Sequence, residues 1–430
     1  MVRGLPVVLA VLTAGAAILL GRLWAVPRPS HVGEVPATAK VDSADDEADP
    51  ELEASLQPLL AGPELNFSQG AVLTFMPCGF LGNTLFQLAA ILSVAADSGG
   101  KLKVAIPDLL EPGAIQRVLP GAFSEAAQRV FATVLRRLRP LLVPPKRLLE
   151  SWPDWVAVGR CARCSLGELR WRERRCLARG VRTCQVDVES LAKYGTCMDE
   201  VRDIEDTRDF PGELLHEALE MAKGRREEQQ QETGGTAGGC RVIWVTGFFQ
   251  DYRYAAARLP WLRRLFWHGP TAREAAGHLR ELVPEDATVI SLHYRLGNFK
   301  PLGRVLDDKF YVAALSEARR RLGRDLTCLV FSDEPEEALR RTERLELCSR
   351  RAAAPARLPD TTRFHMMALV PHAVLSASTF AYWAALLGPQ KALVIAPKLQ
   401  HSWFRFIGEP PGTVPWLALP ANFSGGGPIG

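Results

Sequence analysis

The sequence predicts an α/β protein whose C-terminal part is a parallel, doubly wound sheet, and three observations carry that expectation. Short apolar runs of strand length, bounded by turn residues, recur at 289–294, 326–331, 373–376 and 391–395. Amphipathic segments of helical length separate them, and strand–helix alternation of this kind implies parallel strands joined by crossover helices. The composition is globular: 430 residues, 47% hydrophobic and 23% charged, enough for two compact domains with appendages. A net charge of only +4 argues against a general nucleic-acid binder. The doubly wound domain is placed at about 285–408, with a C-terminal tail at 409–430.

Taken in order, the chain opens on an apolar run from Leu5 to Leu20, broken only by Thr13 and flanked by Arg3 and Arg22. Acidic, Pro-rich sequence follows. Positive charge before the run and negative charge after it predict a signal anchor over 1–26 with its N-terminus in the cytosol; a cleaved signal peptide is the alternative. Either way the body is expected in the secretory lumen. Residues 27–70 read as a flexible luminal stem, polar and proline-punctuated without amphipathic period. The sequons at Asn66 and Asn422 agree with that compartment. Of nine cysteines, Cys161, Cys164, Cys176, Cys184 and Cys197 cluster. Disulfides suit that cluster better than zinc, because 161–164 is its only close pair and no histidine is interspersed.

The N-terminal domain is expected over 71–284, beginning with the strand Ala71–Phe75. Gly79 and Gly82 then frame a turn that opens a helix with Leu85, Leu88, Ala89, Leu92 and Ala96 on one face, ended by Gly99-Gly100. Such a turn aims backbone N–H groups at whatever sits above it, which suits an anion. A strand at 101–106 follows. Arg129, Arg136, Arg137, Arg139, Lys146 and Arg147 recur among apolar residues as basic amphipathic helices, with Trp152, Trp155 and Trp171 nearby. Residues 223–239 are low-complexity and read as a disordered loop. A strand at 241–246 leads into Gly247-Phe-Phe-Gln-Asp-Tyr-Arg-Tyr254, and a helix at about 271–283 follows.

In the C-terminal domain, the strand starting at Val289 delivers His293 and Arg295, two residues apart, into a loop opened by Gly297. Strand residues of one parity leave from one face, so the two side chains are expected together, beyond a strand's carboxyl end where open α/β sheets bind ligands. A guanidinium there suits a phosphate, through paired charge-assisted hydrogen bonds. Asp307 caps the next helix, Pro335 suits the first turn of another, and Asp360 precedes a third containing Phe364, Met367 and Ala368. Ser378-Thr379 is placed to cap the helix through Trp383 to Leu387, closed by Gly388-Pro389.

These stretches have a family likeness. Gly79-Phe-Leu-Gly-Asn83-Thr-Leu-Phe-Gln87 resembles the N-terminal glycine motif of α-1,2-fucosyltransferases (glycosyltransferase family 11). Gly247-Phe-Phe-Gln-Asp-Tyr-Arg-Tyr254 is similar to that family's Gly-Tyr-x-Gln-x-x-x-Tyr segment, and His293-Tyr-Arg-Leu-Gly-Asn-Phe299 to its His-x-Arg-Arg-Gly-Asp-Tyr. Phe331-Ser-Asp-Glu334, Ser376-Ala-Ser-Thr-Phe-Ala-Tyr-Trp-Ala384 and Ile395-Ala-Pro-Lys398 resemble its later motifs, in order, over about 71–404. The resemblance implies a GT-B-like fold of two Rossmann-type domains facing across a cleft. It also implies GDP-fucose as donor substrate, inverting transfer to a glycan hydroxyl such as galactose O-2, no metal and no other cofactor.

Residue by residue, the resemblance puts Arg295 on the donor β-phosphate and Asn83 at the glycine loop that faces the donor. His293, Gly297 and Asn298 then shape the donor loop, and Ser378, Thr379 and Phe380 form a helix start that closes on the phosphates. Asp360 is matched to guanine recognition, with a plain N-cap as the alternative. It further implies a single-pass type II Golgi membrane protein, with the membrane, GDP-fucose and a glycan acceptor as partners and no nucleic acid. Three positions depart from the motif: Asn298 stands for an aspartate, Leu296 for an arginine and Thr84 for a glutamine. Asn298 motivates an alternative, a noncatalytic glycan- or nucleotide-binding protein on the same fold.

Overall fold

A computed structural model of the chain describes residues 49–59, 71–75, 81–105, 124, 183–187, 209–223, 242–246, 249–322, 325–389, 391–399 and 413–424. They all fall within one compact unit, Ala37–Gly430. The predicted anchor over 1–26, Asn66, the basic 129–147 segment, most of the cysteine cluster and the low-complexity loop lie outside the described residues. No helix among the described residues is long and apolar enough to cross a membrane.

Two parallel sheets organise the body. The first has the order β2-β1-β4-β3, from strands β1 (Ala71–Phe75), β2 (Leu102–Val104), β3 (Thr183–Asp187) and β4 (Val242–Thr246). The second has six strands: β5 (Thr288–Tyr294), β6 (Leu326–Ser332), β7 (Arg350–Ala353), β8 (His372–Val374), β9 (Leu393–Lys398) and β10 (Leu417–Pro420). Their order is β10-β9-β8-β5-β6-β7, all parallel. Chain order reverses between β5 and β8, the arrangement of a doubly wound dinucleotide-type sheet, so a crevice opens beyond the carboxyl ends of those two strands. The first sheet has its own reversal between β1 and β4.

The sequence reading needs correction in three places. β10 pairs with β9 in register, Leu417 opposite Ile395, so part of the expected tail is an edge strand and the domain runs beyond 408. The helix α1 (Pro50–Leu56) lies inside the expected stem yet is docked, with Leu52 and Leu56 fully buried. Their i,i+4 spacing puts both on one face, Pro50 suits the first turn, and Asp49 caps it by accepting the Leu52 N–H at 2.8 Å. The third correction concerns the boundary at 284. The helix α6 (Gly269–Leu282) precedes β5 in the chain but packs against α9 (Asp360–Leu369) of the second sheet's helical layer. There the His268 N–H donates to His365 Nε2 at 3.3 Å, and Trp267 lies against the His365 ring.

Asp49 also holds α1 to its neighbour. Arg264, in α5 (Leu259–Leu265), donates from Nε to Asp49 Oδ2 at 3.0 Å and from Nη2 to Oδ1 at 2.6 Å. That fork, with the Leu52 N–H, holds the Asp49 carboxyl below its ordinary pKa. A lowered carboxyl pKa contributes stability that is complete above the unfolded value and lost as pH falls through the folded one. Asp49→Ala is expected to cost about 1 kcal/mol near neutral pH, the usual worth of a helix cap. Urea unfolding repeated at pH 7 and pH 3 checks this, because the gap between wild type and variant should shrink at the lower pH.

The helix α2 (Leu81–Asp97) is more deeply placed than its single predicted apolar face requires. Every residue from Thr84 to Ala95 is buried, because α10 (Thr379–Leu387), α3 (Phe210–Lys223), α4 (Arg253–Ala256) and the sheet surround it. Gly99 and Gly100 end the segment at positive φ, 61° and 83°, as glycines there should. Two further helices, α7 (Asp308–Leu322) and α8 (Pro335–Leu345), pack over β8–β10 and over β6–β7 respectively. Cys328, within β6, forms a disulfide with Cys348, just before β7; neither belongs to the predicted cysteine cluster.

Candidate functional site

The two chain reversals converge on one place. At the second, His293 is the penultimate residue of β5 and its Nδ1 lies 2.7 Å from Ser376 Oγ, just past β8, so this pair spans the crevice. Burial, reinforced by the nearby Arg295 charge, drives the His293 pKa down to about 3, and the imidazole is neutral at physiological pH. Its ring lies against Phe380, 5.8 Å between centroids. Tyr311 donates to the His293 carbonyl at 2.9 Å and stacks on Tyr294 at 4.1 Å. The backbone that delivers Arg295 is thereby held from below.

His293 and Arg295 do not leave together as parity predicts. The strand stops at Tyr294 and the chain turns into a short 3-10 segment, Gly297–Phe299. Past the turn the strand rule no longer applies, and the side chains diverge, His293 toward β8 and Arg295 toward β6. Arg295 Nη1 meets Asp333 Oδ2 at 2.9 Å, its side chain 21% exposed and its guanidinium over the Phe299 ring. Asp333 Oδ1 accepts the Leu296 N–H at 2.9 Å. One carboxylate therefore fixes both the cation and the loop that carries it. Gly297 makes room for it, since a Cβ there would lie 2.6 Å from Asp333 Oδ2. The motif's aspartate position, filled here by Asn298, does not do this job: Asn298 is exposed and meets no hydrogen-bond partner among the described residues. Leu296 is fully buried and simply packs.

The first sheet's reversal brings Asn83, after β1, to Gln250, after β4. Asn83 Oδ1 accepts from Gln250 Nε2 at 2.9 Å and from Thr379 Oγ1 at 2.9 Å. The second bond crosses to the other half of the chain. Gly82 shows how close that approach is: a Cβ would lie 2.5 Å from the Thr379 carbonyl carbon and 2.6 Å from the Phe380 nitrogen. One turn further on, Phe86 stacks on Tyr382 at 5.3 Å and meets Trp383 edge-on at 5.1 Å. The expected open cleft is therefore closed at this point by direct helix contact, because glycine removes the side chain that would hold α2 and α10 apart.

That contact has an electrostatic cost. The helices α2 and α10 start side by side and run in the same sense, so the positive ends of both dipoles lie together. Ser378 sits at the N-cap of α10 with no side-chain cap bond, and the N–H groups of Thr379 and Phe380 meet no acceptor among the described residues. The uncapped N-terminus of α10, on the crevice that Arg295 also borders, forms a site for an anion, which would relieve the repulsion and fill the empty donors.

Asp360 is the first residue of α9, with Pro359 at the cap position, so the plain N-cap alternative does not hold. Its carboxylate is 67% exposed and pairs with Arg363. Arg363 also donates to the Ser332 carbonyl at 3.1 Å, at the carboxyl end of β6, which places a second guanidinium at the rim of the crevice. Asp333, Gln250 and Arg363 were missed as site residues. The first two lie within motifs already noted, but nothing local marks which side chain in a motif turns inward. No cluster of potential metal ligands occurs among the described residues. A groove of about 630 Å³, lined by Arg280, Val283, Thr327 and Arg350, lies at the amino ends of β6 and β7, away from this site.

No protein-family profile and no curated protein matches the chain. Solved structures do resemble it. POFUT1 in complex with GDP-fucose matches at 12% identity and a TM-score of 0.42, covering 83% of this chain and 98% of that one. An Arabidopsis thaliana FUT1 mutant in complex with GDP matches at 14% identity and a TM-score of 0.39, over 83% and 76%. The fucosyltransferase NodZ from Bradyrhizobium matches at 14% identity and a TM-score of 0.37, over 74% and 94%.

Proposed function

We propose that the protein is a metal-independent, inverting glycosyltransferase that moves L-fucose from GDP-fucose to a glycan hydroxyl, galactose O-2 being the hydroxyl the motifs favour. The observation that carries the reading is the uncapped N-terminus of α10, against which the start of α2 packs, at the crevice that Arg295 borders. That arrangement suits a diphosphate leaving group. In the reaction the acceptor oxygen attacks the anomeric carbon from the face opposite the diphosphate. The bond from that carbon to the β-phosphate oxygen breaks, its electron pair leaves with GDP, and the proton of the acceptor hydroxyl passes to solvent water.

Negative charge then grows on the β-phosphate. Arg295, held in place by Asp333, and the N–H groups of Thr379 and Phe380 are fixed donors for it, and preorganised donors of this kind supply much of a rate enhancement. Ser378 sets the start of that helix. Asn83 adds a donor from the other half of the chain. His293, neutral and tied to Ser376, acts as a wall and not as an acid or base. Asp360 accepts from the guanine N–H groups through the carboxylate oxygen that Arg363 leaves open. These donors leave no step that requires a divalent cation. A Golgi, type II, luminal placement with glycosylation at Asn66 and Asn422 belongs to the same reading. The exposed Asn422 side chain and the Cys328–Cys348 disulfide support a secretory compartment.

The test uses the purified full chain with GDP-fucose and a panel of β-galactoside glycans, in excess EDTA, following GDP release. Acceptor-dependent release is expected. Release only after Mg²⁺ or Mn²⁺ is restored would overturn the metal-independent part. Calorimetric binding of GDP without turnover on any glycan would favour the noncatalytic alternative that Asn298 motivates.

A further inference from the structure

We propose that Gln250 is a positioning residue for Asn83. Together with Thr379 it fills both lone pairs of the Asn83 carboxamide oxygen, so that the amide nitrogen is presented as a donor where the two crevices meet. What that nitrogen donates to, an oxygen of the departing diphosphate, rests on the glycosyl-transfer reading; the lock itself does not.

The hydrogen bonds set the orientation. Asn83 Oδ1 accepts two bonds of 2.9 Å each, from Gln250 Nε2 and Thr379 Oγ1, and a carbonyl oxygen has only two lone pairs to offer. Turning the amide over would set its N–H groups against the Gln250 donor and lose the bond. The amide nitrogen meets no acceptor among the described residues. Asn83 is thus a donor with its acceptor side already used, which separates it from any role as a proton acceptor.

The backbone that supplies Gln250 is itself unusual. Phe249 has φ 53°, a left-handed conformation that a bulky residue adopts only under constraint. Glu346, with φ 55°, is the other such non-glycine among the described residues, and it ends a helix, where that conformation is ordinary. Phe249 has no such excuse. Its buried ring meets Tyr254 edge-on at 5.4 Å, and its carbonyl accepts the Asp251 N–H at 2.8 Å. Asp251 is anchored in turn by Arg253, from Nε at 2.8 Å. The surroundings therefore force a strained turn whose product is the placement of the Gln250 amide. Strain of this kind collects where a side chain must be aimed.

The test is a double-mutant cycle in the full chain, with Gln250→Leu, Asn83→Ala and the double variant. It is read by urea unfolding, by calorimetric titration with GDP and by turnover of GDP-fucose. In stability the two changes are expected to be non-additive, because each removes the same hydrogen bond. In turnover Gln250→Leu is expected to lower kcat about tenfold, the worth of one misplaced hydrogen bond, and to add nothing once Asn83 is alanine. Gln250→Glu, whose ionised carboxylate cannot donate, should fall with Gln250→Leu. Additive stability effects would overturn the lock whatever reaction the protein performs. Coupling in stability with additive effects on kcat would overturn the positioning role. A wild-type chain that turns over no GDP-fucose would count against the fucosyl-transfer reading alone. The lock would still be decided by the unfolding cycle, and the positioning role by whether Gln250→Leu weakens GDP binding only when Asn83 is present.

Discussion

Replacing Arg295 with alanine is expected to lower kcat/KM for GDP-fucose by roughly 10²- to 10³-fold, the usual loss when one preorganised donor to developing charge is removed. Arg295 is partly exposed and lies at the mouth of the crevice, so the fold should survive. Two consequences separate this from a general disturbance. The fall should appear in kcat as well as in donor KM, because in the proposed transfer charge on the departing diphosphate grows only in the transition state. Arg295→Lys should recover little, since an ammonium cannot reproduce the planar fork that spans a phosphate and the Asp333 carboxylate together. Steady-state kinetics on both variants, alongside far-UV circular dichroism, decide the matter. A fully active alanine variant would remove Arg295 from the site.

Gly82→Ala is expected to damage both the fold and the activity, though the change is a single methyl group. The new carbon would lie 2.5 Å from the Thr379 carbonyl carbon, 2.6 Å from the Phe380 nitrogen and 2.7 Å from the Thr379 oxygen. All three are backbone atoms, so no rotamer change relieves the contact. The helices α2 and α10 must part, and overpacking of this kind costs about 1–3 kcal/mol. A displacement of about 1 Å at reacting groups can lower a rate about 10²-fold. Thermal unfolding and donor kinetics should therefore fall together, with GDP binding weakened in step. Normal stability and activity in Gly82→Ala would mean that the helix starts do not need to touch.

Much of the second sheet could be read in advance, and the physical reason is burial. β5, β6 and β9 are central strands or their neighbours, covered on both sides, and their apolar runs are nearly continuous. The strands missed altogether, β7 and β10, are its two edges. β7 reads Arg-Arg-Ala-Ala and is half-exposed, which is how edge strands are protected and also why they carry little apolar signal. α1 was missed for another reason, since its acidic residues suggested a stem although Asp49-Pro50 announces a helix start. At the candidate site, the place of Arg295 just beyond β5 and the helix start at Ser378–Thr379 were legible, because charge and helix-start residues are local features. Asp333 and Gln250 act across strands, and only the strand order shows what stands next to what.

The exchange of α6 between the two halves bears on how the chain can be dissected. Thr271, Ala272, Ala275 and Leu279 of α6 are buried, although the helix comes before β5. A fragment cut at 285, the obvious seam in the sequence, would strip that cover from α9 and leave its His365 without the bond from His268. The seam in space therefore lies upstream of the seam in the chain. A C-terminal piece meant for isotope labelling, for crystallisation or for exchange between relatives should begin before Trp267. Even then it would bring only half of the anion site, because Asn83 and Gln250 stay behind with the other sheet.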